Sequence, residues 1–117
     1  MSTAGLASVA TPIPSDSRVR LVLIDDHAIL REGLRALLAL EADLEVVGEA
    51  ENGDEGIAIV ERLQPDLVIT DLAMPHRSGI QVISAVRKVA PAARVLALTV
   101  HNGEEYIKAA LTAGANG

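Results

Sequence analysis

Cysteine is missing from this chain, and so are phenylalanine and tryptophan; Tyr106 is the only aromatic. Without thiols there is no disulfide framework and no thiolate metal site, a composition compatible with a reducing cytoplasm. With so little aromatic volume, a chain that is 50% hydrophobic must build its core from Val, Ile, Leu and Ala, which suits helices layered on a parallel sheet. Positive charge is also scarce. A formal charge of −6 gives this segment no electrostatic reason to hold nucleic acid or an anionic membrane. No run approaches the ~18 apolar residues that cross a bilayer. Residues 1–17 are rich in Ala, Ser, Thr and Pro and lack the basic start and continuous apolar stretch of a signal peptide, so they read as a disordered lead-in. The remaining residues, 18–117, are enough for one core and too few for two ordinary domains.

What is present alternates between strand and helix four times. Val19 to Ile24 reads as a first strand ended by Asp25-Asp26, and Leu30, Leu34, Leu37 and Leu38 recur at helical spacing from Ala28 to about Leu40, with Arg31, Glu32 and Arg35 on the other side. Leu44 to Gly48 reads as an edge strand. Asn52-Gly53-Asp54-Glu55 places a capping residue three positions before Glu, opening a helix with Ile57, Val60 and Leu63 behind it. Leu67-Val68-Ile69 is an unbroken apolar run bounded by Pro65 and Pro75, too short for a helix, and it delivers Asp71 to the end of a strand covered on both faces. Ser78-Gly79-Ile80-Gln81 repeats the capping logic, with Ile80, Ile83 and Val86 lining a third helix and Pro91 just past it. Arg94 to Leu98 is the fourth strand, ending in Thr99. Asn102-Gly103-Glu104-Glu105 opens a fourth helix carrying Ile107, Ala110 and Leu111. This order predicts right-handed βαβ crossovers and a doubly wound parallel sheet.

With the flavodoxin-like strand order 2-1-3-4, the carboxyl ends of the first, third and fourth strands lie side by side, where chemistry collects in open α/β sheets. Asp25, Asp26, Asp71 and Thr99 would then share one rim. Unit charges ~4 Å apart repel by about 4 kcal/mol at an effective dielectric near 20, so three clustered acids need a cation or must take up protons. Magnesium suits them, since it prefers oxygen ligands and is held by one or two carboxylates together with phosphate oxygens. Asp71 is also a candidate nucleophile towards phosphorus, because carboxylates form aspartyl phosphates. The histidines His27, His76 and His101 are scattered without metal-ligand spacing, which favours exposed or locally bonded side chains over a zinc site.

Residues 19–117 resemble the receiver domain of two-component response regulators, NarL-type subgroup. The matching residues are Asp25-Asp26-His27, Arg31-Glu32-Gly33-Leu34, Asp71-Leu72-Ala73-Met74-Pro75, Ser78-Gly79, Leu98-Thr99 and Ala113-Gly114-Ala115. The resemblance implies that Asp71 accepts a phosphoryl group from a sensor histidine kinase. It also implies that Asp26 and Asp71 ligate Mg2+ directly, that Asp25 acts through water, and that the Ala73 backbone carbonyl completes the protein ligands. Thr99 would turn inward to the phosphoryl group, and His101, two residues on, would tune how water reaches it. The protein would be cytoplasmic, receiving the phosphoryl group without being an enzyme in the ordinary sense. Its output would be transcription, through a helix-turn-helix DNA-binding domain that this sequence does not contain.

The family also has a fifth strand, ending in a lysine that neutralises the phosphoryl group, and a fifth helix; this sequence contains neither, and Lys88 and Lys108 lie in helical segments that do not match the lysine. An unpaired edge on the strand Val95 to Leu98 is therefore expected, with self-association as a homodimer or strand-exchanged oligomer and weak phosphorylation of the chain. Two other functions compete. One is a stand-alone or phosphate-independent interaction module. The other is a haloacid-dehalogenase-like phosphatase, which expects a second acid two residues after its Asp nucleophile, where this chain has Ala73.

Overall fold

A computed structural model describes residues 18–74, 77–98 and 104–117. The lead-in 1–17 lies outside them, as do Thr99, His101, His76 and the start of the fourth helix at Asn102-Gly103. The strands are β1 (Val19–Ile24), β2 (Leu44–Ala50), β3 (Leu67–Asp71) and β4 (Arg94–Leu98). The helices are α1 (Ala28–Leu38), α2 (Gly53–Leu63), α3 (Gly79–Val89) and α4 (Glu104–Ala113). All strand pairs are parallel, and the order is β2-β1-β3-β4.

Alternation along β1 sends its side chains to opposite faces of the sheet. Val22 and Ile24 join Val68 and Val95 under α2, α3 and α4, where Val60, Val82, Ile83, Val86 and Ala110 are buried. Leu21, Leu23 and Ile69 face the other way, against Leu34 and Leu38 of α1. The second face is thinly covered. No residue of α1 is buried, and Leu30 and Leu37, expected on its inner face, are 45% and 63% exposed. Helical spacing identifies an apolar stripe but cannot say how much of it finds a neighbour. Ile107 and Leu111 of α4 are exposed as well, leaving Ala110 as that helix's buried contact.

The capping signals are realised. Asn52 accepts from the Glu55 amide, and Ser78 and Gln81 form the reciprocal capping box. At the far end of α4, Gly114 takes a positive φ of 119°, with Ala115 N–H on the Ala110 carbonyl and Gly114 N–H on that of Leu111. This left-handed glycine turn satisfies the last carbonyls and sends the chain back along β4. There the Asn116 amide donates to the Val95 carbonyl, the Val95 amide to Asn116 Oδ1, and the Ala97 amide to the Gly117 carbonyl. The expectation of an unpaired edge on β4 is corrected by these bonds: residues 116–117 occupy part of it.

One irregularity interrupts the β1–β2 ladder. Leu21 pairs with Val46 but Val22 with Gly48, so Val47 is the extra residue of a bulge. Beyond it Leu23 pairs with Glu49 and Ile24 with Ala50.

Candidate functional site

β1 and β3 end side by side. Ile24 is the register partner of Thr70, so the next residues, Asp25 and Asp71, emerge level with one another at the carboxyl edge. The Asp25 amide continues the ladder onto the Ala50 carbonyl, and the Leu72 amide continues it onto the Leu98 carbonyl. The rim is therefore held rigidly up to the residues that carry the acids. Asp25 is 2% exposed and Asp71 8%, while the Asp26 side chain retains 26%.

Gly79 makes the close turn behind Asp71 possible. Its amide donates to the Leu72 carbonyl, and a Cβ at this position would overlap the Asp71 carbonyl and the Leu72 Cα. Only glycine admits this approach.

His27 belongs to the same cluster. Its amide donates to Asp25 Oδ1 at 2.8 Å, and its ring Nδ1 lies 3.0 Å from that oxygen, 3.1 Å from Asp26 Oδ1 and 3.6 Å from Asp71 Oδ2. The hydrogen bond to Asp25, then the charge of Asp26, hold the imidazole pKa above its ordinary value, with smaller contributions from the charges of Asp25 and Asp71. One donor atom from each of these four residues can be chosen so that all lie within 4.8 Å of one another. Such convergence on a rim of α/β strands can hold a divalent cation.

The acids are incompletely satisfied. Asp71 Oδ1 accepts from the Ala73 amide at 3.0 Å. Asp25 Oδ2, in a side chain only 3% exposed, has no hydrogen-bond partner, and Asp26 Oδ1 has none despite its nearness to the imidazole. A buried carboxylate oxygen without a partner is costly, and a bound cation is the natural remedy. The donor set of three carboxylates fits magnesium in particular.

Arg31 was expected on the outer side of α1 and instead turns in. Its Nη1 donates to the Asp25 carbonyl and its Nε to Glu49 Oε1 at 3.2 Å, while Arg35 holds Glu49 Oε2 at 3.1 Å. The Arg31–Arg35 spacing of four opposite a lone strand acid was a readable signal for this link. Ala73 lies next to the cluster, two residues past Asp71, and Lys88 and Lys108 are exposed on α3 and α4. Thr99 and His101 lie outside the described residues, so their expected places at the rim stay with the sequence reading.

Comparison with known proteins gives a consistent pattern. Residues 21–117 match the family profile described as the response regulator receiver domain. The chain is 41% identical over 97 residues to the nitrate/nitrite response regulator protein NarL of Escherichia coli, covering 83% of this chain and 45% of that protein. It is 34% identical over 103 residues to the transcriptional regulatory protein DegU of Brevibacillus brevis, covering 88% of this chain and 44% of that protein. The chain thus spans less than half the length of these relatives. Among solved structures, a LuxR-family two-component response regulator from Aurantimonas superposes with a TM-score of 0.80 at 37% identity, over 85% of this chain and 71% of the other. The isolated receiver domain of RcsB from Salmonella enterica, determined in the presence of phosphomimetic BeF3−, superposes with a TM-score of 0.77 at 29% identity, over 84% and 73% of the two chains.

Proposed function

Since the chain belongs to the response regulator receiver family, with NarL-type relatives, we propose that it is a phosphoacceptor whose acceptor residue is Asp71 and whose donor is a sensor histidine kinase. The observation that carries this reading is the union of a nearly buried strand-end carboxylate with two further acids whose oxygens lack partners. Of the two Asp71 oxygens, Oδ1 is engaged by the Ala73 amide, leaving Oδ2 for phosphorus. As the new O–P bond forms, the P–N bond of the donor phosphohistidine breaks; the electron pair leaves with the imidazole, which takes up a proton from water. Asp25, Asp26 and Asp71, with the Ala73 carbonyl, are the residues that would hold Mg2+. When bound, that ion offsets the charge of the acids and of the phosphoryl oxygens they receive.

Asp25, fixed through its backbone by Ala50 and Arg31, keeps its carboxylate at a set depth. The open side of the cluster is the His27 side, which is 63% exposed. A donor approaches there. Transcription as the output follows from the relatives, which are transcriptional regulatory proteins, and DNA contact belongs to sequence outside this chain. A cytoplasmic setting accompanies that reading; among the described residues no helix is long and apolar enough to cross a membrane.

Incubation with phosphoramidate and Mg2+, read by intact mass, tests the acceptor. One phosphoryl group per chain, absent in Asp71→Asn, is expected. Labelling that persists in Asp71→Asn would place the acceptor elsewhere, and a folded, Mg2+-binding chain that no phosphoramidate labels would favour the phosphate-independent interaction module.

A further inference from the structure

The imidazole of His27 has no role in the receiver chemistry described above, yet its Nδ1 is aimed at all three acids rather than at solvent. Metal–nitrogen and metal–oxygen bonds of about 2.0–2.2 Å place neighbouring donors of one coordination shell roughly 3.0–3.5 Å apart. The separations of 3.0, 3.1 and 3.6 Å from His27 Nδ1 to Asp25, Asp26 and Asp71 match that spacing. The buried Asp25 Oδ2 without a hydrogen-bond partner is an independent sign that the cluster awaits a ligand. Histidine spacing along the sequence argued against a zinc site, and rightly so for a site made of histidines. Here the fold supplies one imidazole to a carboxylate cluster, a different donor set.

From this geometry we infer that His27 is a fourth protein ligand, which makes the cluster a mixed nitrogen and oxygen site that takes a first-row transition dication, zinc or cobalt(II), in preference to Mg2+. Imidazole suits these metals, whereas Mg2+ prefers an all-oxygen shell and gains nothing from the ring. Because His27 directly follows Asp26 and its amide is already fixed on Asp25 Oδ1, little rearrangement separates the present position from ligation. The inference rests on the acid cluster being a cation site and is independent of phosphotransfer to Asp71. A receiver so equipped would respond to the transition-metal content of its surroundings through the same pocket that accepts the phosphoryl group.

The test compares Zn2+, Co2+ and Mg2+ binding to the intact chain and to His27→Ala and His27→Asn by calorimetry at about pH 8, where imidazole is free to ligate. Cobalt adds the visible absorption of its d–d bands, and 15N spectra of the histidine rings identify which nitrogen is metallated. Zn2+ and Co2+ should bind the native chain more tightly than Mg2+. Both substitutions should weaken Zn2+ and Co2+ by about tenfold or more while changing Mg2+ by less than about twofold. The Nδ1 resonance of His27 should move with Zn2+ and stay with Mg2+. Unchanged Co2+ spectra and Zn2+ affinity in both variants would overturn the assignment of His27 as a ligand. Failure of all three ions to bind the native chain would instead overturn the cation site itself, whatever the outcome of labelling at Asp71.

Discussion

Asp71 stands level with Asp25 across the β1–β3 ladder, one residue beyond the Ile24–Thr70 pair. Two carboxylates are thereby fixed at one depth by backbone hydrogen bonding, before any side-chain interaction operates. Their proximity is a property of strand register, and a change in either strand's length would separate them.

That juxtaposition opposes stability when no cation is bound. Asp25→Asn should stabilise the cation-free chain by about 1 kcal/mol, since it removes a buried charge beside two others. The same substitution should abolish the response to Mg2+, which in the native chain contributes about 2.7 kcal/mol at 100 times its Kd. Urea unfolding with and without Mg2+ measures both effects. A destabilised variant that still responds to Mg2+ would contradict the account of Asp25.

Asp26 should matter most for affinity, because its Oδ1 lacks a hydrogen bond and its side chain is the more open of the two neighbouring acids. Asp26→Ala is expected to weaken Mg2+ binding by at least about tenfold. Amide shifts of residues 25–27 and 71–73 during a Mg2+ titration provide the readout. If those amides respond alike in the variant and the native chain, Asp26 is not a ligand.

His27 gives the cation-free chain a pH dependence of definite sign. Its folded pKa is raised, so its contribution to stability is fully present below the unfolded value and is lost as pH rises through the folded value. Stability should therefore fall from just above pH 6.5 upward, and His27→Gln should flatten that decline. The imidazole C2–H titration followed by NMR should have its midpoint above the ordinary histidine value. A midpoint at or below it would show that the Asp25 hydrogen bond and the Asp26 charge do not act as described.

Two glycines should respond in opposite directions to alanine. Gly79→Ala drives a Cβ into the Asp71 carbonyl and Leu72 backbone and should cost about 3 kcal/mol, with a loss of Mg2+ affinity because the Asp71 turn must shift. Gly33, inside α1 with open space around it, should gain about 0.5–1 kcal/mol as alanine. Thermal unfolding of the two variants decides the matter. A neutral Gly79→Ala would mean the turn is looser than its geometry indicates.

Much of this arrangement was readable from residue order. Apolar runs of Val, Ile and Leu marked all four strands, and the alternation with capped helices predicted the order β2-β1-β3-β4 and hence the meeting of Asp25, Asp26 and Asp71. Direction within the first turn of α1 was not readable. Whether the ring of His27 points to solvent or to the acids depends on how the chain leaves β1, and no periodicity encodes that. Arg31 was misplaced for a related reason: helical spacing separates apolar from polar faces but does not register a guanidinium that reaches around to a backbone carbonyl. The burial of α1 was overestimated because a stripe of leucines describes only one partner of a contact. Asn116 and Gly117 lie past the last recognisable element, and their bonds to β4 arise from the turn at Gly114.

The bulge at Val47 sets the phase of β2 for every later residue. Were Val47 deleted and the ladder regular, Gly48 would pair with Leu23 and Glu49 with Ile24, turning the Glu49 carboxylate towards the core under α2 and away from Arg31 and Arg35. Substitutions in this strand are graded perturbations, but gain or loss of one residue inverts it. Within β2 the lineage of this chain can therefore drift in composition while its length is locked, and in a library of single-residue deletions this strand should be among the least tolerant stretches.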